Sequence, residues 1–337
     1  MELLNLSKNL EEYLDSLNDR RSNHSVKSVS EINMGWETEL FTFQSHFTEN
    51  NAPVTEDLVL RVFSGDGAAL KASKEYHLMK KLYNIGYPVP PVYNLETSRK
   101  YIGKPFIIMK RIIGRTLDAT YQNESTQELQ EGISRLMQLF VKLHSLDVSE
   151  FRDVPNLSFS DSVQLYLNYF TDTRDRLAPL MTPVIDWINE NKPDETSKYQ
   201  SLCHMDYHGM NVMIDEYDQP YVIDWGAARI GDHRLDVAWT ILLYCTFGGP
   251  MFREPLIESY ENLGGKLECL EFFDVMATAR RISDLINVVA DSDSVDLKPE
   301  VVEMMRKSKD HYNKVHDFLE EKTGLRLNEL DKLLTSF

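Results

Sequence analysis

Three oxygen-bearing side chains, Asp206, Asn211 and Asp224, constrain this chain more tightly than any other feature of its sequence. The first two lie five apart in the run His204-Met205-Asp206-Tyr207-His208-Gly209-Met210-Asn211. Two short β-prone runs follow, Asn211 to Asp215 and Tyr221 to Asp224, around the turn-forming residues Glu216 to Pro220. Such a pattern predicts a hairpin, and folding it can bring all three side chains to one pole. Carboxylate and amide oxygens are the ligands a hard cation such as magnesium prefers, with phosphate oxygens completing its shell. Asn211 and Asp224 suit that task, which leaves Asp206 to orient a hydroxyl and accept its proton. The same stretch also spells His204, Asp206, His208, two imidazoles and a carboxylate that could sit on a hydrolytic zinc ion. That reading leaves Asn211 and Asp224 without a use.

Periodicity divides the chain into a β-rich part and a helical part. Leucines from Leu3 to Leu17 recur at helical spacing and predict an amphipathic leading helix within residues 1–20. Leu40 to Phe47 and Leu58 to Phe63 are β-prone, with Asn50, Asn51 and Pro53 between them, and Lys71 to Leu82 returns to helical period. Pro88, Pro90 and Pro91 stop that helix, and Lys104 to Ile113 predicts a buried strand ending at Gly114. Beyond it, helices are expected over Gln127 to Ser145, Ser160 to Asp175, Val184 to Asn191, Leu235 to Phe247, Glu254 to Leu263, Leu270 to Ala290 and Pro299 to Lys322.

An aspartate, an asparagine five residues later and a hairpin ending in aspartate form the arrangement of a protein-kinase catalytic loop. With His208 two positions after Asp206, Trp225 after Asp224, and Gly231-Asp232 leading to Asp236, the segment resembles the aminoglycoside phosphotransferase and choline kinase superfamily. The likeness runs over roughly residues 30 to 245. It implies an α+β, bilobal, protein-kinase-like fold, with a nucleotide-binding lobe over 1–113 and, over 114–337, a helical lobe carrying the catalytic loop and substrate pocket. It further implies ATP and magnesium as cofactors, with Asp206 as catalytic base and Asn211 and Asp224 as metal ligands. Gly35, in Gly35-Trp36-Glu37-Thr38-Glu39, resembles the family's phosphate-covering turn. Arg61 falls where such kinases place the cation that touches the phosphates, Lys in the commoner pattern, and Glu75 matches its ion-pair partner. Arg keeps a permanent charge and a two-pronged fork for phosphate. Met109 resembles the residue before the hinge, so Lys110 and Ile112 would offer backbone carbonyl and amide to adenine. His204, His208, Trp225 and Asp236 become supports, with Asp236 bonding the backbone near His204 to Asp206.

Composition narrows the partners. Lys and Arg total 36 against 53 Asp and Glu, a formal charge of −17 over 337 residues, which repels nucleic-acid phosphates and anionic membrane surfaces. The same acidity suits a cationic acceptor, or only a solvated surface. Three cysteines without paired spacing argue against a disulfide framework and fit a reducing cytoplasm. Met1 to Arg20 lacks a basic start followed by an apolar run, so no leader is expected, and no membrane-spanning run is present. The expected activity is transfer of the ATP γ-phosphoryl group to a hydroxyl of a small molecule, an aminoglycoside-like antibiotic, amino alcohol, sugar or related metabolite. A nucleotide-binding scaffold without turnover is the alternative, motivated by Arg61 and the single-glycine turn. A protein substrate is disfavoured because no Ala-Pro-Glu segment follows Asp224-Trp225.

Overall fold

The computed structural model describes residues 3–17, 21–32, 38–120, 126–171, 178–194, 197–290, 303 and 307–335. The chain divides into two compact units, Met1–Arg115 with Met213–Gly226, and Thr116–Val212 with Ala227–Phe337.

The first unit is built on a five-stranded sheet of β1 (Arg21–Ile32), β2 (Glu39–Glu49), β3 (Ala52–Val62), β4 (Val92–Glu96) and β5 (Phe106–Lys110) in the order β1-β2-β3-β5-β4. Strands β2 and β3 pair antiparallel from Glu39 with Val62 to Glu49 with Ala52. Asn50 and Asn51 make the two-residue turn between them, at φ 52° and 64°. A tight hairpin turn of that twist needs positive φ at both positions, which asparagine tolerates better than other side chains. Along β3 the side chains alternate, so Leu58, Leu60 and Val62 enter the core while Arg61 points to the opposite face. The helix Leu3–Ser16 covers the core side with Leu6, Leu10 and Tyr13, and the Tyr13 ring stands edge-on to Phe106 at 4.9 Å.

The strand expected over Lys104 to Ile113 is shorter, Phe106–Lys110, and Ile113 is exposed. Strands β1 and β4 were not signalled by the sequence. Of the β1 side chains only Val26 is fully buried, so its apolar alternation is absent, and the strand is held by backbone pairing to β2.

The expected hairpin is present as Val212–Asp215 and Pro220–Val222, and Gly114–Thr116 joins it on the other side of Val212–Asp215. Asp215 Oδ1 accepts from Tyr217 N at 2.9 Å and Gln219 N at 2.8 Å, which closes the turn through one side chain. Val222 N donates to Pro88 O at 2.8 Å, tying the second strand to the proline segment.

The second unit is mostly helical. Its helices include Thr126–His144, Phe159–Thr171, Ala178–Asn191, His233–Phe247, Arg253–Asn262, Leu270–Ala290 and Lys309–Thr323. Residues 172–175 of one expected helix, and most of residues 299–306 of another, lie outside the described residues. One antiparallel pair, Gln200–Cys203 with Arg229–Asp232, went unread because four-residue strands are too short to show a period. Asp232 caps the helix His233–Phe247 by accepting from Arg234 N at 3.0 Å, and its carboxylate also takes the Arg234 guanidinium at 2.9 and 2.6 Å. That buried guanidinium lies 3.6 Å from the centre of the Tyr199 ring, so its charge is matched and its faces are covered. No helix among the described residues is long and apolar enough to cross a membrane.

Gly114 is fixed by close approach: a Cβ there would lie 2.0 Å from the backbone oxygen of Ile214. Gly114→Ala is therefore expected to force the hairpin away from its neighbour and to lower unfolding free energy by about 1–3 kcal/mol, read from urea denaturation. An unchanged midpoint would contradict this packing.

Candidate active site

One helix face grips the loop that carries Asp206. On the helix His233–Phe247, residues 236, 240 and 244 are spaced one turn apart and 239 lies beside them, so all four point the same way. Each takes hold of a successive part of the loop. Asp236, with no exposed surface, accepts from His204 N at 2.6 Å and from Met205 N at 2.7 Å. Trp239 Nε1 donates to Asp206 Oδ1 at 2.9 Å. Thr240 Oγ1 donates to Tyr207 O at 2.7 Å, and Tyr244 Oη accepts from Gly209 N at 3.2 Å. Tyr244 in turn donates to Asp118 Oδ1 at 2.6 Å, and burial pushes its pKa well above the ordinary value, so the hydroxyl keeps its proton. A Cβ on Gly209 would stand 1.9 Å from Asp118 Oδ1, which explains the glycine.

Met205 sits at φ 69°, a backbone region costing a non-glycine residue roughly 1–2 kcal/mol. Two bonds from its neighbours hold it there, Asp236 on its N–H and Arg280 Nη1 on its carbonyl at 2.7 Å. Asp236 is also faced by His144 Nε2 at 3.2 Å, while His144 Nδ1 meets Tyr260 Oη at 2.7 Å.

Asp206 remains partly open to solvent, its side chain 36% exposed. Burial alone would raise its pKa; the neighbouring His208, the Trp239 N–H and the charge of Arg280 outweigh burial and hold it well below the usual carboxylate range. The group is thus an anion at any working pH. Asn211 Nδ2 donates to Asp206 O at 2.9 Å and lies 3.2 Å from His208 Nε2 and 3.4 Å from Asp206 Oδ2. Since a carbonyl can only accept, the amide nitrogen must face the loop, and Asn211 Oδ1 is the atom turned away from it. His204 is fully buried, with its Nδ1 facing Asp206 N at 3.3 Å.

The zinc alternative finds no support in this geometry. Among the described residues, the one cluster of three metal-type ligands is His144, Cys203 and Asp236, not His204, Asp206 and His208. Even there the Asp236 oxygens are engaged by two backbone N–H groups and an imidazole.

In the first unit, Arg61 joins the other group of expected residues. Its Nη2 donates to Asp224 Oδ1 at 2.8 Å and its Nε lies 3.3 Å from Glu75 Oε1. Glu75 enters from the helix Ala68–Asn84 and is 3% exposed. Asp224 stands at φ 65°, and its side chain is 45% exposed, with one oxygen on Arg61. Trp225 is buried, donating from Nε1 to Val222 O at 3.0 Å, with its ring edge-on to Tyr87 at 5.8 Å. Met109 is buried in β5. The Lys110 N–H is spent on Pro91 O at 2.9 Å and that of Arg111 on Asp57 O at 3.0 Å, while among the described residues the Ile112 N–H makes no such bond. Gly35 lies outside the described residues.

Asp118, Trp239, Tyr244 and Arg280 join the loop in the structure although none of them is singled out by the sequence. The only signal available was the spacing of 236, 239, 240 and 244 on one helix face.

The family model of the phosphotransferase enzyme family matches residues 29–273, and the chain belongs to that family. A curated relative, acyl-CoA dehydrogenase family member 11 of Pongo abelii, is 25% identical over 183 residues, a stretch that covers 52% of this chain and only 23% of the relative. Among solved structures, a Ralstonia eutropha JMP134 protein provisionally named an aminoglycoside phosphotransferase superposes with a TM-score of 0.70 at 17% identity, covering 93% of this chain and 98% of its own. Wild-type aminoglycoside 2'-phosphotransferase-IIIa, solved in complex with GDP, gives 0.64 at 15% identity, covering 96% and 99%. At such identities the likeness shows the fold, which is the α+β, protein-kinase-like one that the loop resemblance implied.

Burial pushes the Glu75 carboxyl up to about 7 from 4.5, with Arg61 opposing that rise and Asp224 adding to it. In the folded chain it therefore holds a proton at pH values where the unfolded chain has released it, so its contribution to stability is lost as pH rises through that window. The unfolding free energy of the wild type minus that of Glu75→Gln should fall by about 3 kcal/mol between pH 4.5 and 7. Parallel pH profiles from chemical denaturation would contradict the buried, proton-binding state of Glu75.

Proposed function

We propose that this chain is a small-molecule kinase that transfers the γ-phosphoryl group of ATP to a hydroxyl. The observation that carries the reading is Asp206: a carboxylate kept ionised, held in one orientation by Trp239, and still open to solvent. A carboxylate so placed can accept a hydrogen bond from an incoming hydroxyl and aim its oxygen at phosphorus. The proton can pass to it late, as the new bond to phosphorus makes the hydroxyl acidic. That timing suits phosphoryl transfer, in which little nucleophile activation is needed before the transition state.

Magnesium fits the donor set of the remaining residues. Asn211 presents an amide oxygen, its nitrogen being used on the loop, and Asp224 keeps an oxygen beyond the one on Arg61. Both are hard ligands of the kind magnesium takes. When bound, the ion supplies charge neutralisation for the phosphate oxygens. Arg61, braced by buried Glu75, is the proposed phosphate grip. The N–H of Ile112, which makes no backbone bond among the described residues, and the carbonyl of Lys110 are the proposed partners of adenine. Membership of the phosphotransferase family and the GDP complex of a structural neighbour support nucleotide use. The acceptor is proposed only as a hydroxyl compound, with aminoglycosides, macrolides, amino alcohols, sugars and hydroxy amino acids as the classes to screen.

Asp206→Asn keeps the shape of the side chain and removes its charge. It should leave ATP affinity within about twofold by calorimetry while lowering turnover, followed by ADP release, about a hundredfold or more. Wild-type turnover in that variant would remove Asp206 from the chemistry.

A further inference from the structure

Asp206 has two oxygens in different surroundings. Oδ1 takes the indole N–H of Trp239 at 2.9 Å and lies 3.8 Å from His208 Nε2, while among the described residues Oδ2 has only a 3.4 Å approach from Asn211 Nδ2. Trp239 is itself 4% exposed and cannot swing freely. The guanidinium of Arg280, from the helix Leu270–Ala290, lies over its ring with 3.8 Å from Cζ to the ring centre. The same guanidinium donates to Met205 O at 2.7 Å, the residue just before Asp206. One cation therefore holds both the indole that grips the carboxylate and the backbone that carries it. Guanidinium is suited to both tasks, since it stacks on an aromatic face while its edge donates to a carbonyl.

We infer that Trp239 and Arg280 are positioning residues that fix the rotamer of Asp206 so that Oδ2, and not Oδ1, receives the acceptor hydroxyl. This inference rests on the kinase reading above. In the step itself the acceptor oxygen bonds to the γ-phosphorus, the bond from that phosphorus to the bridging oxygen breaks, and ADP leaves with the electron pair. The acceptor proton passes to Oδ2. Without the indole N–H the carboxylate can turn about its Cβ–Cγ bond, and neither oxygen is held toward the acceptor for a full fraction of encounters. Positioning of this kind affects turnover rather than nucleotide binding.

The Met205 strain gives Arg280 a second reason to be present. A residue at φ 69° relaxes unless its neighbours over-determine it, and Arg280 supplies the bond on the carbonyl side while Asp236 supplies that on the N–H side. Removing Arg280 should loosen the loop and the indole together, whereas removing only the indole N–H should leave the loop in place.

The test uses the full chain with MgATP alone, water serving as acceptor, so that no acceptor need be known. Trp239→Phe keeps a ring under Arg280 and deletes only the N–H. It should lower the rate of ATP hydrolysis roughly ten- to hundredfold, the worth of one hydrogen bond to a charged group, with the KM for MgATP unchanged. In a double-mutant cycle, Trp239→Phe should cost nothing further once Asp206 is Asn, because the charge it positions is gone. A structural role for the tryptophan would give additive losses instead, and additivity overturns the inference. A second readout does not depend on turnover: the indole N–H resonance of Trp239, assigned by its loss in Trp239→Phe, should move upfield in Asp206→Asn and lose exchange protection in Arg280→Met. A resonance unmoved by either variant also overturns it. Wild-type hydrolysis in Asp206→Asn, by contrast, would sink the kinase reading, and the resonance would still decide whether Trp239 and Arg280 hold the carboxylate.

Discussion

The fold of the loop that carries Asp206 depends on one buried carboxylate. Asp236 has no exposed surface, and a bare anion there would be untenable without donors aimed at it. The donors are the N–H groups of His204 and Met205, at 2.6 and 2.7 Å. The bargain runs both ways: the loop's N–H groups solvate the helix's carboxylate, and the helix imposes on the loop the left-handed turn at Met205 that precedes Asp206. Charge-assisted bonds to backbone N–H are among the strongest available to a protein, strong enough to hold a conformation that the backbone would otherwise leave. From that anchor the register is set, since Thr240 and Tyr244, one and two turns on, reach Tyr207 and Gly209 in order.

The first unit uses a different device. Arg61 stands on the face of β3 opposite the core, because the strand alternates, and it meets one buried and one exposed carboxylate. Glu75 holds the guanidinium from behind while Asp224 engages its other end. A guanidinium so held would lose little further freedom on meeting the phosphate it is proposed to grip. Arginine in place of the commoner lysine is therefore compatible with a phosphate grip, since a planar fork can serve both carboxylates at once.

Much of this was legible in the sequence. Asp206, Asn211 and Asp224 declared themselves by chemical type and spacing, and the hairpin by its apolar runs around Glu216 to Pro220. Arg61 and Glu75 could be named only through resemblance, because a strand arginine and a helix glutamate are ordinary on their own. Trp239 and Arg280 were illegible for a physical reason. Their partners lie 33 and 75 positions away in sequence, and their residue types at helical spacing look like core and surface. Strand β1 was missed because its apolar content is low and its order comes from pairing, and Gln200–Cys203 because it is only four residues long.

Phosphoryl transfer to a small hydroxyl compound can be checked by following the phosphorus. With ATP, magnesium and a pool of aminoglycosides, macrolides, amino alcohols, sugars and hydroxy amino acids, phosphorus NMR should show a new phosphomonoester growing as ATP is lost. This signal should disappear on chelation of magnesium and in Asp224→Ala. A chain that binds ATP yet forms no ester with any member of the pool, and leaves the γ-phosphate on the nucleotide, would contradict such transfer.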